Sequence, residues 1–314
     1  MTDRTVASHP ATGPRSFLGL VGRGAAMGAA DVVPGVSGGT IALLTGIYDR
    51  LIGNIGIGSR SLGRLVRADI RGAIHQLGRV EWSFLIPLGI GLLAAVVLLA
   101  GVIEEALIEH PEPMAGLFLG LVAASVLITG RDVKWTPGRL TTAGLVGLAL
   151  FVALGWQGAP VADPEAPALF GAGAVAICAM VLPGISGSFL LLMMGMYATL
   201  IDIIDDRLLA DAAVFGTGAV FGLACFSTLL ARLLARYPHQ VLAVMVGLLL
   251  GSTRVLWPWP HGVGVVSRQP NEAVSGTGLG WPDAAGGLVS PTILAVAAIA
   301  MVLIIGRLAR GSDR

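Results

Sequence analysis

The sequence predicts an all-α polytopic membrane protein built from two inverted-topology repeats, each a re-entrant helical hairpin followed by three transmembrane helices. Composition predicts the membrane class, since 55% of the 314 residues are hydrophobic and only 12% are charged. Soluble domains carry about 25% charged residues. An internal repeat of a broken apolar segment predicts the two halves. The net charge of +1 gives no sign of a nucleic-acid partner.

Six apolar runs have roughly the length that crosses a bilayer, which takes about 20 residues. They lie at about 83–103, 114–130 and 140–158, and again at about 212–231, 239–257 and 286–306. Two further apolar segments, 17–52 and 168–201, are too long for one span, and a Pro-Gly pair breaks each in the middle. Because proline removes a helical donor and clashes with the preceding turn, we expect each segment to be a re-entrant hairpin.

The basic residues fit this arrangement. A polar tail of residues 1–16 precedes repeat 1 (17–158) and repeat 2 (168–309). With a cytoplasmic N-terminus and hairpins that make no net crossing, the inner tails and loops, including 53–81, hold 15 Lys or Arg. The outer loops hold 3. This asymmetry obeys the positive-inside rule and places both termini in the cytoplasm. Two full crossings per broken segment would give the same parity, so charge leaves that alternative open.

The two broken segments follow one pattern. Residues 24–52 align without gaps onto residues 173–201 at an offset of 149, and the next two spans align at an offset of 127. Each repeat then contains three crossings, an odd number, so we expect the second repeat to be inverted relative to the first. Broken segments at matching positions of two such halves are the best sequence pointer to a transporter's midplane site.

The paired Pro-Gly-x-Ser-Gly motifs are the predicted phosphate-binding site. A half-helix that starts at a break presents free backbone N–H groups and the positive end of its dipole. One motif alone fits close helix packing better, but two at repeat-related positions favour binding. The predicted binding residues are Pro34, Gly35, Ser37, Gly38, Gly39 and Thr40 in the first motif and Pro183, Gly184, Ser186, Gly187 and Ser188 in the second.

Charged residues inside a membrane are costly and usually functional. Arg23 and Asp31 lie in the first hairpin, Arg23 as a candidate to neutralise phosphate and Asp31 as a candidate proton carrier. An internal ion pair between them is the alternative. Arg254 ends the fifth ordinary span and is a weaker candidate for substrate contact. Tyr48 and Tyr197 close the hairpins, where interfacial anchoring is as good an interpretation as ligand contact.

The stretch GAAMGAADVVPGVSGGTIALLTGIYDRLI and its mate VLPGISGSFLLLMMGMY closely resemble the signature of the PopT-like polyprenyl-phosphate translocases. This resemblance covers nearly the whole chain. It implies a flippase that returns undecaprenyl phosphate from the outer to the inner leaflet of the bacterial cytoplasmic membrane, for envelope and peptidoglycan synthesis. The implied partners are this lipid and membrane lipids, with protons as a candidate coupling ion. No cofactor, metal or nucleic acid is expected.

Two other functions compete with this one. The motif also resembles that of the undecaprenyl-pyrophosphate phosphatases, which carry Pro-Gly-x-Ser-Arg-Ser and a nearby pair of glutamates. Here Gly38 and Gly187 stand at the arginine position, and neither hairpin contains a glutamate. Phosphoryl transfer needs positive charge and a positioned base or nucleophile, so we expect a transporter and not an enzyme. A small-anion or amino-acid transporter of the same architecture is the third hypothesis.

Overall fold

The computed structural model describes residues 14–31, 37–155, 161, 164–205, 207–259, 279–282 and 284–311, and their secondary structure is helical throughout. The α-helices in chain order are α1 (Pro14–Asp31), α2 (Gly38–Leu44), α3 (Tyr48–Val66), α4 (Ile70–Leu77), α5 (Trp82–Glu109), α6 (Pro111–Asp132), α7 (Pro137–Ala153), α8 (Ala166–Val181), α9 (Gly187–Met193), α10 (Tyr197–Asp205), α11 (Leu209–Arg236), α12 (Pro238–Ser252) and α13 (Val289–Gly311). A short 3-10 helix, Ala285–Leu288, leads into α13.

Among the described residues, four helical segments are long and apolar enough to cross a membrane. They are Trp82–Leu99 in α5, Pro111–Asp132, Leu209–Arg236 and Ala285–Ile304. Helices α7, α8 and α12 are apolar but shorter. The outward side chains of the long helices are apolar, as Leu93 and Val97 of α5 show. Extended apolar surface of this kind is stable against lipid rather than water, so the chain is a multi-pass membrane protein.

Both segments predicted to be hairpins contain a helix break. In the first, Ser37 has an extended backbone directly before α2, and residues 32–36, which include Pro34 and Gly35, lie outside the described residues. In the second, residues 182–186 separate α8 from α9 and include Pro183 and Gly184. The predicted break therefore occurs between α8 and α9 at the Pro-Gly pair. The re-entrant path of the two segments stays a prediction.

A tight turn follows α2 and another follows α9. Gly46 and Gly195 occupy these turns at φ 71° and 70°, a left-handed conformation that costs glycine nothing sterically. After the first turn, α3 continues to Val66, so much of the predicted 53–81 loop is helical. The reason is an amphipathic pattern: Ile52 and Ser61 are buried, and α3 packs against α11. Such a helix has no long apolar run for the sequence to reveal.

Glycine carries the close packing of α1 on α5 and of α8 on α11. A Cβ at Gly24 would lie 2.0 Å from the carbonyl oxygen of Leu88. A Cβ at Gly173 would lie 2.1 Å from the carbonyl oxygen of Phe215. These residues are related by the offsets of 149 and 127. Both helix pairs therefore bring their backbones together at matching positions, as small residues permit within membranes.

The last helix of each half packs against the other half. Helix α6 packs on α13, and α7 packs on α12. A Cβ at Gly120 would lie 2.3 Å from the carbonyl oxygen of Ala295, and one at Gly247 would lie 2.5 Å from that of Ala143. These two matching helix–helix contacts join the halves, together with the packing of α3 on α11 and of α6 on α12.

Candidate functional site

The start of α2 is built around Ser37 and Asp31. Ser37 has extended backbone angles and caps the helix, since its Oγ accepts a 3.0 Å hydrogen bond from the Gly39 N–H. The Gly38 N–H donates to Asp31 Oδ1 at 2.6 Å. A carboxylate at a helix N-terminus is favoured by the free N–H groups and the dipole. The first predicted anion cradle therefore holds a negative group of the protein itself.

Glycine at positions 38 and 39 lets these groups approach. A Cβ at Gly38 would lie 2.5 Å from Asp31 Oδ2. A Cβ at Gly39 would lie 2.8 Å from the carbonyl oxygen of Val181. A side chain at Gly38 would therefore require the Asp31 carboxylate to move, and one at Gly39 would require a shift of the backbone at Val181. The arginine of the phosphatase pattern therefore has no room at Gly38 in this conformation.

Side chains of the first hairpin segment donate hydrogen bonds to backbone carbonyl groups directly before the second motif. The Ser37 hydroxyl donates to the carbonyl oxygen of Met180 at 2.7 Å. The Tyr48 hydroxyl donates to the carbonyl oxygen of Val181 at 2.9 Å. Carbonyl groups in the last turn of a helix have no partner within that helix, so these two donors cap the end of α8. The two predicted motifs thus meet directly.

Gly184 needs both its conformation and its small size. Its φ is 85°, in the left-handed region that glycine favours. Its N–H donates to Thr40 Oγ1 at 3.0 Å, and Thr40 is fully buried. A Cβ at Gly184 would lie 2.9 Å from the Cα of Leu249. The break between α8 and α9 is therefore wedged between α2 and α12.

The start of α9 differs from the start of α2. The hydroxyl oxygens of Ser186 and Ser188 are 2.8 Å apart and hydrogen-bonded to each other. Within the described part of the chain, the N–H groups of Gly187 and Ser188 have no hydrogen-bond acceptor. No carboxylate takes the place that Asp31 takes at α2, because Met180 stands at the position related to Asp31 by the offset of 149. The second motif thus has hydroxyl and N–H groups available to a ligand.

A cavity of about 210 Å³ lies where the two motifs meet. Asp31, Ser37, Ser186 and Ser188 line one part of it. Apolar side chains from α8, α9, α10 and α11 line the rest. The cavity therefore combines hydrogen-bonding groups with an apolar wall, which suits a ligand that has both a polar and an apolar part.

Comparison with known proteins identifies the family. The family model described as VCA0040-like, undecaprenyl phosphate translocase-like, matches residues 27–274. The chain belongs to the undecaprenyl phosphate translocase-like family. A polyprenyl-phosphate transporter of Vibrio cholerae is 40% identical over 250 residues, which cover 78% of this chain and 79% of the relative. A polyprenyl-phosphate transporter of Staphylococcus aureus is 31% identical over 256 residues, which cover 75% and 84%. No solved structure gives a significant match.

Two predicted charged residues of this translocase-like protein lie away from the cavity. Arg23 is half-buried on α1, eight residues before Asp31, which is about 12 Å along a helix. No ion pair joins these two residues, and the salt bridges formed among the described residues lie elsewhere. Arg254 follows α12. Its guanidinium carbon lies 5.2 Å from the centre of the Phe151 ring, and its buried Nε has no hydrogen-bond partner among the described residues.

The two predicted tyrosines have different surroundings. Tyr48 is buried and bonded to Val181, so it is a structural contact between the motifs rather than an interfacial anchor. Tyr197 packs against the apolar cluster that includes Leu169 and Met196, and its hydroxyl forms no hydrogen bond with any described residue. The two tyrosines align at the offset of 149, but their side chains make different contacts.

The apolar residues that line the cavity were not predicted from the sequence. Leu200 and Phe215 line it, yet neither carries a polar group or belongs to a motif. The alignment of the two halves contained one usable signal: Ala176 and Ala219 stand opposite Met27 and Leu92 at the two offsets. Small residues in the second half that align with large residues in the first half indicate extra space in the second half.

Proposed function

We propose that this protein is a flippase for polyprenyl phosphate that returns undecaprenyl phosphate from the outer to the inner leaflet of the bacterial cytoplasmic membrane. The carrying observation is the cavity at the junction of the two motifs, whose lining combines the hydroxyl groups of Ser37, Ser186 and Ser188 with apolar side chains. A lipid phosphate has that division of polarity. Membership of a family whose relatives are named polyprenyl-phosphate transporters supports the same substrate.

In this proposal the second motif holds the phosphate. The hydroxyls of Ser186 and Ser188 and the N–H groups of Gly187 and Ser188 supply donors, and charge-assisted hydrogen bonds to phosphate are stronger than neutral ones. The N–H groups of the first motif are already bonded to Asp31 and Ser37. The first motif then shapes the site, and Gly184 and Pro183 set the path of the backbone around it.

Asp31 is the proposed proton carrier. Its carboxylate and the phosphate of a bound lipid would share one small cavity. Two like unit charges 4 Å apart repel by about 4 kcal/mol at an effective dielectric constant of 20. Binding therefore favours uptake of a proton by Asp31 or by the phosphate, and release of the lipid favours loss of that proton. This exchange couples transport to a proton gradient. Arg23 is proposed to attract the phosphate along α1, and Arg254 to do so at the far end of α12.

The proposed mechanism uses two inverted repeats with re-entrant hairpins. Support comes from the matching backbone contacts at Gly24 and Gly173 and from the matching turns at Gly46 and Gly195. Two halves of similar structure and opposite orientation offer two packings of similar free energy, one open to each leaflet. The polyprenyl tail stays in the lipid while the phosphate crosses.

A phosphatase is less well supported. Glycine stands at the position of the phosphatase arginine in both motifs, and a side chain at Gly38 would collide with Asp31. The relatives carry transporter names. A small-anion transporter is also less well supported, because free phosphate would leave the apolar part of the cavity unfilled.

The deciding experiment is a leaflet-resolved assay of undecaprenyl phosphate in liposomes that contain the purified protein, with and without a proton gradient. We expect protein-dependent flipping that the gradient accelerates, and no release of inorganic phosphate from undecaprenyl pyrophosphate. The double variant S186A/S188A should lose most flipping. Ser59→Ala is the matched control, since its hydroxyl bonds Thr228 at 2.9 Å on the α3–α11 contact. Protein-independent flipping, or steady phosphate release, would refute the proposal.

A further inference from the structure

The apolar part of this cavity is lined by helices of the second half. Ala176 of α8, Leu200 of α10, and Phe215 and Ala219 of α11 line it. The two offsets relate these positions to Met27, Leu51, Leu88 and Leu92 of the first half. Each residue of the apolar wall therefore has a sequence-related residue in the first half.

In the first half the corresponding side chains pack into an apolar cluster. Met27 and Leu88 are buried in this cluster, at 5% and 4% exposure. Leu51 and Leu92 pack against that cluster. In the second half, alanine replaces both methionine (Ala176) and leucine at the equivalent positions. Interiors are normally close-packed, so two such losses of volume beside one cavity point to a space kept for a ligand.

The size of the cavity limits what it can hold. Its volume is about 210 Å³, below the roughly 300–1,000 Å³ of sites that enclose drug-sized ligands. It can take a phosphate and the chain atoms next to it, but not a long polyprenyl tail. Apolar cavities of this kind are not filled well by water, which favours a hydrocarbon group as the occupant of the apolar part.

We infer that the space between Ala176, Leu200, Phe215 and Ala219 binds the first isoprenoid unit of the lipid, next to the phosphate at Ser186 and Ser188. This inference rests on the proposed function and adds the part of the substrate that is recognised. The protein then selects an isoprenoid phosphate over free phosphate, because only the former fills both parts of the cavity. The asymmetry of the two halves gives the substrate a single binding site rather than two.

Filling the space with the residues of the first half tests the inference. The variants are Ala176→Met and Ala219→Leu in the full-length protein, reconstituted in lipid nanodiscs. The matched controls, Val175→Met and Val220→Leu, lie one position along the same helices with side chains 42% and 52% exposed. Binding of undecaprenyl phosphate and of methyl phosphate is measured for each protein, together with the thermal unfolding temperature.

We expect each filling variant to lower the affinity for undecaprenyl phosphate at least about tenfold, which is the discrimination that a pocket shows against one extra methylene group. The affinity for methyl phosphate should stay unchanged. The controls should bind both ligands as the native protein does. Unchanged affinity for undecaprenyl phosphate in both filling variants, or equal weakening of both ligands, would overturn the inference. Failure of the native protein to bind undecaprenyl phosphate would instead overturn the proposed function.

A graded series covers the case in which methyl phosphate binds too weakly to measure. Ala176→Val adds less volume than Ala176→Met, so undecaprenyl phosphate affinity should fall in the order native, valine, methionine. Val175→Met should stay native-like. Equal affinity across the series, at unchanged unfolding temperature, would contradict binding of the isoprenoid unit at this place.

Discussion

Thr40 and Gly184, 144 positions apart in the chain, are joined by a buried hydrogen bond of 3.0 Å from the Gly184 N–H to the Thr40 hydroxyl oxygen. The bond joins the two halves of the protein, because Thr40 lies in α2 after the first Pro-Gly pair and Gly184 belongs to the second Pro-Gly pair. It fixes the second break in its left-handed conformation against α2. Stability and transport should both depend on it.

Thr40→Val removes the acceptor while keeping the shape of the side chain. A buried N–H left without a partner costs about 1–3 kcal/mol, so we expect a lower unfolding temperature and reduced flipping. Thr40→Ser keeps the acceptor and should retain more stability than Thr40→Val. Thr45→Val is the control, because the Thr45 hydroxyl only donates to carbonyls of its own helix. Equal stability of the valine and native proteins would contradict this role.

Tyr48→Phe removes the hydroxyl that bonds Val181 and leaves a ring of the same size. The net loss should be about 0.5–1.5 kcal/mol, seen as a lower midpoint in detergent-induced unfolding. Tyr197→Phe is the matched control, since it changes the repeat-related tyrosine, whose hydroxyl bonds no described residue. The contact would be unimportant if both variants unfolded at the same midpoint as the native protein.

Gly38→Ala should displace the Asp31 carboxylate, because the new Cβ would lie 2.5 Å from Oδ2. We expect loss of flipping together with a lower unfolding temperature. Gly58→Ala is the control: it lies within α3 with no atom within 4 Å of the added Cβ, and alanine in a helix interior stabilises by up to about 1 kcal/mol over glycine. Native-like flipping by Gly38→Ala would show that the Gly38–Asp31 contact is dispensable.

Asp31→Asn keeps an oxygen that can accept from the Gly38 N–H but cannot release a proton. We expect the unfolding temperature to hold and flipping to lose its acceleration by an imposed proton gradient. Affinity for undecaprenyl phosphate should be retained or increased, since the like-charge repulsion is gone. Asp31→Ala, which removes the acceptor as well, should also destabilise the fold. A gradient response of native size in Asp31→Asn would remove Asp31 as the proton carrier.

Much of the fold was accessible to sequence reasoning. Low charge and long apolar runs predicted a helical membrane protein, and Pro183-Gly184 predicted the break between α8 and α9, because both signals come from local backbone chemistry. The length of α3 was missed since its amphipathic pattern contains no apolar run.

The site was predictable only in part. The motif residues Ser37, Ser186 and Ser188 do line the cavity, but their partners could not be predicted. Ser37 bonds the backbone of Met180, and a carbonyl acceptor leaves no mark on the sequence. The local sequence pattern also does not show that the Asp31 side chain accepts a hydrogen bond from the start of α2. That contact depends on how α1 and α2 are placed relative to each other.

The packing of α6 on α13 and of α7 on α12 has a consequence for biogenesis. Among the described helices, the glycine face of α6 packs closely on α13, which is synthesised well after α6. Until α13 is inserted, the Gly120 surface of α6 lacks this partner. A chain that ends before α13 should therefore be recognised and degraded, and the two halves supplied as separate polypeptides should accumulate only when they are made together.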